Sequence, residues 1–328
     1  MFGNSRTPLT RRTMLASGAA MVAAPALADC PIGPPKHDKG PLVWMDMDQV
    51  EIDAAYDQDF YAPAAANIRR RYGTNSDALR ARIGEPRRES YGPGEFEKLD
   101  IYRAKQSNAP IFVYIHGGAW LSGTSRQSGY PAEMFLNAGA HYVALDFVQI
   151  REAGGDLGMM ADQVRRGIAW IYKNAESFDG DTSRLYIGGF SSGGHLCGVA
   201  LVTDWQKDFG LPADMIRGGL CMSGMYEMKP VRISKRSSYV KFTDAMEDAM
   251  STQRHLDMLR TPVVVTHGTD ETPEFQRQNR EFVAAVKASG KSAELVVAQH
   301  YNHFEMGESI ANPYGPNGRA ALTMMKLG

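Results

Sequence analysis

Residues 184–196 read RLYIGGFSSGGHL. An apolar, strand-like run (Leu185 to Ile187) passes through Gly189-Phe190-Ser191-Ser192-Gly193 directly into a helical stretch beginning near His195. A G-x-S-x-G sequence set between a strand and a helix holds a nucleophile on a tight, strained turn. Small flanking residues let strand and helix approach closely, and the serine stands exposed at the tip. Ser191 is therefore the candidate nucleophile, and the Ser192 N–H at the helix start is a candidate oxyanion donor. In a chain with 33 glycines the bare five-residue pattern arises easily by chance. Its weight comes from the strand–turn–helix context.

The same rhythm runs outward on both sides. Strand-like FEKLDIY (96–102), PIFVYIHGG (110–118) and HYVALDFV (141–148) precede the serine turn. Between them and it lies MMADQVRRGIAWIYKNAES (159–177), with Val164, Ile168 and Ile171 at helical spacing on one face. After the turn come a helix through GHLCGVALVTDW, then strand IRGGLCMSG, then a long polar insertion. Strand PVVVTHG, helix PEFQRQNREFVAAVKAS, strand AELVVAQH and a terminal helix near GRAALTMMK follow. Such alternation predicts the α/β class, with a mostly parallel central sheet and helices on both faces. Upstream, 31–43 is Pro/Gly-rich and extended, and Asp48 to Arg82 is helical in pieces, closing at Gly84. With no repeat and no linker, 29–328 reads as a single domain.

The 328 residues, 43% hydrophobic and 22% charged with net charge −1, carry no long basic run, so nothing points to a nucleic-acid partner. The N-terminal TPLTRRTMLASGAAMVAAPALADC combines Arg11-Arg12, an apolar run from Met14 to Leu27 and the small-residue site Ala26-Leu27-Ala28. That pattern predicts a twin-arginine-type signal over 1–28 and a periplasmic or secreted mature chain. The run is too short to span a membrane, and Asp29 before Cys30 argues against a lipid anchor. Removing Arg6, Arg11 and Arg12 takes the net charge from −1 to −4. Cys197 and Cys221 lie in apolar surroundings and read as buried residues, with a disulfide between them left open.

Two further loops, each ending a predicted strand, complete the chemistry. In YIHGGAW (114–120), glycines allow backbone N–H groups to face a cleft unobstructed. Gly117 and Gly118 are the expected oxyanion donors, with Ala119 beside them, and His116 is expected to brace the loop. Of eight histidines, only His300 and His303 lie in the loop after the last strand, where a base following the acid belongs. His300 continues the strand, so His303 is the expected base. A metal reading of His300-x-x-His303 has no supporting ligand cluster, and no metal or cofactor is expected. In THGTDETPEF (266–275), Thr272 and Pro273 predict a helix start, which leaves Asp270 and Glu271 in the preceding loop as alternative acids.

HGGAW, GFSSGGHL, SGMYEMKPV, TDETPEFQRQNREF and NHFEM, in this order, resemble the kynurenine formamidase (arylformamidase) branch of the α/β-hydrolase fold. That branch is related to hormone-sensitive-lipase-like esterases, and the resemblance runs from about Tyr56 to the C-terminus. It implies a serine hydrolase acting on small esters or aryl formamides through an acyl-enzyme. It also selects Glu271: in similar chains the acid stands four places after the strand-ending His, here His267, and directly before the T-P-E-F run. An N-terminal extension (29–95) is expected to lie over the site, and 225–256 could form a small cap. Trp120, Met225 and Tyr226, large side chains next to the loops, are candidate pocket residues, while Arg232, Lys235 and Arg236 are expected on a solvated face. The partner is a small ester or amide, with a homodimer left open. The competing readings are an acyltransferase using the same acyl-enzyme and a non-catalytic binding protein on the same fold.

Overall fold

Eight runs become the strands of one sheet in the computed structural model, which describes Met1, Gly3 and residues 33–327. The expected Arg11-Arg12 signal and Cys30 lie outside the described residues. The strands are β1 (Arg87–Ser90), β2 (Lys98–Tyr102), β3 (Ala109–Ile115), β4 (His141–Leu145), β5 (Gly180–Phe190), β6 (Ile216–Met222), β7 (Val263–Gly268) and β8 (Ala293–Ala298). They stand in the order β1-β2-β4-β3-β5-β6-β7-β8. From β4 through β8 every pairing is parallel, and β2 runs antiparallel to both β1 and β4.

The helices are α1 (Gln49–Ala55), α2 (Ala65–Ile83), α3 (Ala132–Asn137), α4 (Leu157–Asn174), α5 (Ser192–Leu201) and α6 (Trp205–Phe209). After these come α7 (Met228–Ile233), α8 (Asp244–Met250), α9 (Pro273–Ala288), α10 (His303–Glu308) and α11 (Pro316–Met325). Every residue of β3 and β4 is buried, as a central parallel sheet covered on both faces requires. Alternation along β3 divides the core. Ile111, Val113 and Ile115 join one apolar cluster with Ile168 of α4, Leu196 of α5 and Phe282 of α9. Phe112 and Tyr114 join the other, with Phe135 of α3 and Ala321 of α11.

The periodic elements sit close to where the sequence puts them: Val164, Ile168 and Ile171 are the buried face of α4, and Gly84 ends α2 with φ 93°. The expected N-cap of α9 also forms, the Thr272 hydroxyl accepting from the Phe275 N–H with Pro273 next. Helices α7 and α8 fall within 225–256, the segment expected as a small helical cap. Strand β1 and helices α3, α6 and α10 have no counterpart in the sequence reading. Each has seven residues or fewer, too short to display a period, and β1 (RRES) is a mostly exposed edge strand without an apolar face. The buried thiols of Cys197 on α5 and Cys221 on β6 are free, with their sulfurs 3.9 Å apart. From residue 33 onward the described chain belongs to one compact unit. No helix among the described residues is long and apolar enough to cross a membrane.

Candidate active site

Strand β5 ends at Phe190, and the chain turns into α5 at Ser191 with φ 58° and ψ −122°. A positive φ on a non-glycine residue is strained and persists only where the surroundings impose it. The flanking glycines show how. A Cβ on Gly189 would lie 2.0 Å from the Gly193 carbonyl oxygen, and one on Gly193 would lie 2.1 Å from that of Ile115. Helix, turn and β3 are in backbone contact, and only hydrogen fits between them.

From this turn the Ser191 Oγ reaches His303 Nε2 at 2.8 Å, and His303 Nδ1 lies 2.7 Å from Glu271 Oε2. Because Nδ1 faces a carboxylate, it carries the proton, which leaves Nε2 to accept from the serine hydroxyl. The other Glu271 oxygen accepts from the Ser223 hydroxyl at 2.7 Å and the Gly268 N–H at 2.8 Å. All three side chains are buried. His303 is the first residue of α10, held there by a capping box between Asn302 and Glu305. Its ring packs against Phe190 at 4.8 Å and edge-on to Phe275 at 5.0 Å. Helix α2 clamps α10 from outside through the Tyr72 hydroxyl on the Phe304 carbonyl and an Arg71–Glu308 ion pair.

The rival residues stand apart. Asp270 is exposed, and among the described residues its carboxylate takes a hydrogen bond only from the Thr269 hydroxyl, at 3.2 Å. His300 is exposed with φ 61°, its N–H donating to the Thr269 hydroxyl at 2.8 Å.

Beyond β3 the loop 116–120 takes a left-handed course, with φ of 121°, 55° and 64° at Gly118, Ala119 and Trp120. The Trp120 N–H donates to the Ser192 hydroxyl at 3.2 Å, and its carbonyl accepts from Ile150 at 2.9 Å. The N–H groups of Gly117, Gly118 and Ala119 find no backbone acceptor among the described residues, and all three residues border the cavity beside Ser191. The Ser192 N–H, first in α5, has no partner within the helix. His116 stacks on Phe147 at 4.3 Å with Nδ1 2.9 Å from the Gly117 carbonyl, and burial lowers its pKa. It is placed as a neutral brace. Farther along, the Ser125 hydroxyl, which is within hydrogen-bond distance of both Asp100 and Asp146, ties the loop to that acidic pair, with Arg88 bridging the two carboxylates.

A cavity of about 520 Å³ opens over Ser191 and His303, walled by Tyr56, Tyr72, Tyr114, Tyr130, Phe190 and Phe304 among others. The N-terminal extension contributes Tyr56 to Asp59, Arg69 and Tyr72, and the 225–256 segment contributes Lys235, Arg236 and Tyr239. Trp120, Met225 and Tyr226, expected as pocket residues, do not line it. The left-handed turn at Trp120 sends its indole into the core, edge-on to His195 at 5.2 Å. Met225 and Tyr226 leave β6 on the α9 side, where Tyr226 stacks on Phe282 at 4.0 Å and its N–H donates to Gln278. Arg236, expected on a solvated face, is only 4% exposed and borders the cavity. No periodic signal marks a lone inward residue in a polar insertion. Ser223 also went unread, since a hydroxyl one residue past a strand has no signature of its own.

Residues 99–283 match the BD-FAE family model. The kynurenine formamidase of Danio rerio is 26% identical over 290 residues, covering 82% of this chain and 94% of that relative. Esterase LipC of Mycobacterium tuberculosis is 26% identical, covering 63% of this chain and 56% of the relative. Among solved structures, esterase B of Lactobacillus rhamnosis superposes with a TM-score of 0.63 at 14% identity, covering 82% of this chain and 94% of that one.

Proposed function

The chain belongs to the BD-FAE family, and from that premise we propose that it is a serine hydrolase of small carboxylic esters or aryl formamides working through an acyl-enzyme. The relatives are named kynurenine formamidases, esterases and methylesterases, so the chain is an ester hydrolase or amidase. The observation carrying the finer reading is the unbroken, buried run of hydrogen bonds from Ser191 through His303 to Glu271.

In this reading His303 Nε2 takes the Ser191 proton as Oγ attacks the carbonyl carbon. Positive charge then appears on a buried imidazole 2.7 Å from Glu271, whose own charge is held by Ser223 and Gly268. The oxyanion of the tetrahedral intermediate takes hydrogen bonds from the N–H groups of Gly117, Gly118 and Ser192, with Ala119 adjacent. Losing one such donor typically costs about 10²–10³ in rate. His303 next protonates the leaving alcohol or amine. Water then attacks the acyl-enzyme with His303 as base, releasing the acid and restoring Ser191. Aromatic walls and a cavity of about 520 Å³ favour an aryl group on a small substrate. With the Arg11-Arg12 leader, the site of action in this reading is the periplasm or the exterior.

The test is kcat/KM of the mature chain on aryl acetates and formanilides. Ser191→Ala is expected to lose at least about 10³-fold, and a fluorophosphonate to add covalently to Ser191 alone. A chain inert on every substrate and unlabelled would sink the proposal.

A further inference from the structure

Building on that hydrolase reading, we propose that Arg236 forms an anion subsite, and that the preferred substrate carries a single carboxylate away from its scissile bond. Five charged side chains border the cavity: Arg69, Lys235, Arg236, Asp57 and Asp59. Four of them neutralise one another, Arg69 with Asp59 and Lys235 with Asp57. Arg236 is left over. Among the described residues no carboxylate lies within ion-pair distance of it, although it is only 4% exposed.

Its guanidinium is also short of hydrogen bonds. Nη2 donates to the Tyr56 carbonyl at 3.2 Å, while Nε and Nη1 are buried and have no partner among the described residues. What it does have is rings, with Trp120 at 5.1 Å and Tyr56 at 5.9 Å from the guanidinium carbon. Aromatic faces attract a cation but bring no countercharge. A buried cation without one is a costly arrangement, and a planar guanidinium is the group best suited to a carboxylate. Arg236, which carries this unneutralised charge, is one of the residues bordering the cavity beside Ser191. A ligand with one negative charge completes the balance. A dianion would overshoot it and meet Asp57 and Asp59.

Two substrate pairs, matched in shape but not in charge, test this. One is 3-acetoxybenzoate against 3-acetoxybenzamide, with the charge on the leaving group; the other is monophenyl glutarate against phenyl pentanoate, with the charge on the acyl group. The mature enzyme is expected to favour the anionic member of at least one pair by tenfold or more in kcat/KM. That ratio should fall at least tenfold in Arg236→Met and partly survive in Arg236→Lys. Calorimetry on the unmutated protein gives an independent reading that needs no variant to fold: benzoate should bind at least tenfold more tightly than benzamide. No anion preference in either pair, a preference untouched by Arg236→Met, or equal binding of benzoate and benzamide would each overturn the proposal. Failure of the hydrolase reading looks different: all four esters remain intact, while calorimetry still reports whether the anion subsite exists.

Discussion

Glu271 and Asp270 are neighbours in one loop, yet one is buried with three hydrogen bonds and the other faces solvent. The expected consequence is a sharp asymmetry. Glu271→Gln should lower kcat by about 10³–10⁴, because an amide holds the imidazole in the wrong tautomer. Asp270→Asn should stay within about twofold, as surface changes away from a site generally do. Steady-state kinetics on one aryl ester checks both, and full activity in Glu271→Gln would overturn the assignment. Ser223→Ala removes one bond to a buried carboxylate, a loss worth roughly 1.5–3 kcal/mol. If about half of that is felt in the transition state, kcat/KM falls about three- to tenfold, with folding intact by circular dichroism. Ser191 and His303 were legible because each sits where a strand-ending loop places such a group. Ser223 and Arg236 were not, because their roles come from neighbours 48 and 180 residues away in sequence.

At the scale of elements, the serine turn depends on three backbones meeting. Gly189→Ala puts a methyl group 2.0 Å from a carbonyl oxygen that is itself part of helix α5 and has no room to retreat. Destabilisation of about 3 kcal/mol or more is expected, at the upper end for an overpacked site. Gly290→Ala is the control: φ is +76° but nothing lies within 4 Å, so only the left-handed conformation costs, about 1 kcal/mol. Urea midpoints of the two variants measure the difference, and equal midpoints would refute the close-approach argument. The long helices and buried strands were readable because their faces repeat. The direction of Trp120 was not, since three consecutive positive φ values turn the chain there and only Gly118 among them announces it.

Over the whole molecule, burial of neutral imidazoles couples stability to acid. His195 is fully buried, with its Nε2 on the Met250 carbonyl at 3.0 Å, and burial pushes its pKa down to about 4. Burial also lowers those of His116, His141 and His267. In the unfolded chain each of these binds a proton below about pH 6.5. The unfolded state thus takes up more protons than the native state between pH 6.5 and 4, so stability is full above that window and is lost as pH falls through it. For His195 alone the loss is of the order of 3 kcal/mol. Urea midpoints at pH 7 and pH 4.5 should differ, and His195→Gln should flatten the dependence if it folds. A flat profile in the unmutated protein would contradict the burial of these rings.

The amino-acid sequence by itself determined the alternation of strands and helices, the serine turn, the glycine loop and the order of Ser191, the Asp270-Glu271 pair and His303 along the chain. These are local properties: a period of two or 3.6, a small residue where backbones touch, a cap before a helix. Tertiary structure alone decided which side chains wall the cavity and which charge is left unbalanced there. The cavity is assembled from the N-terminal extension, the glycine loop, the 225–256 segment and α10, elements distant in sequence. Whether a side chain faces that space or the core depends on how those elements pack, which no local pattern encodes.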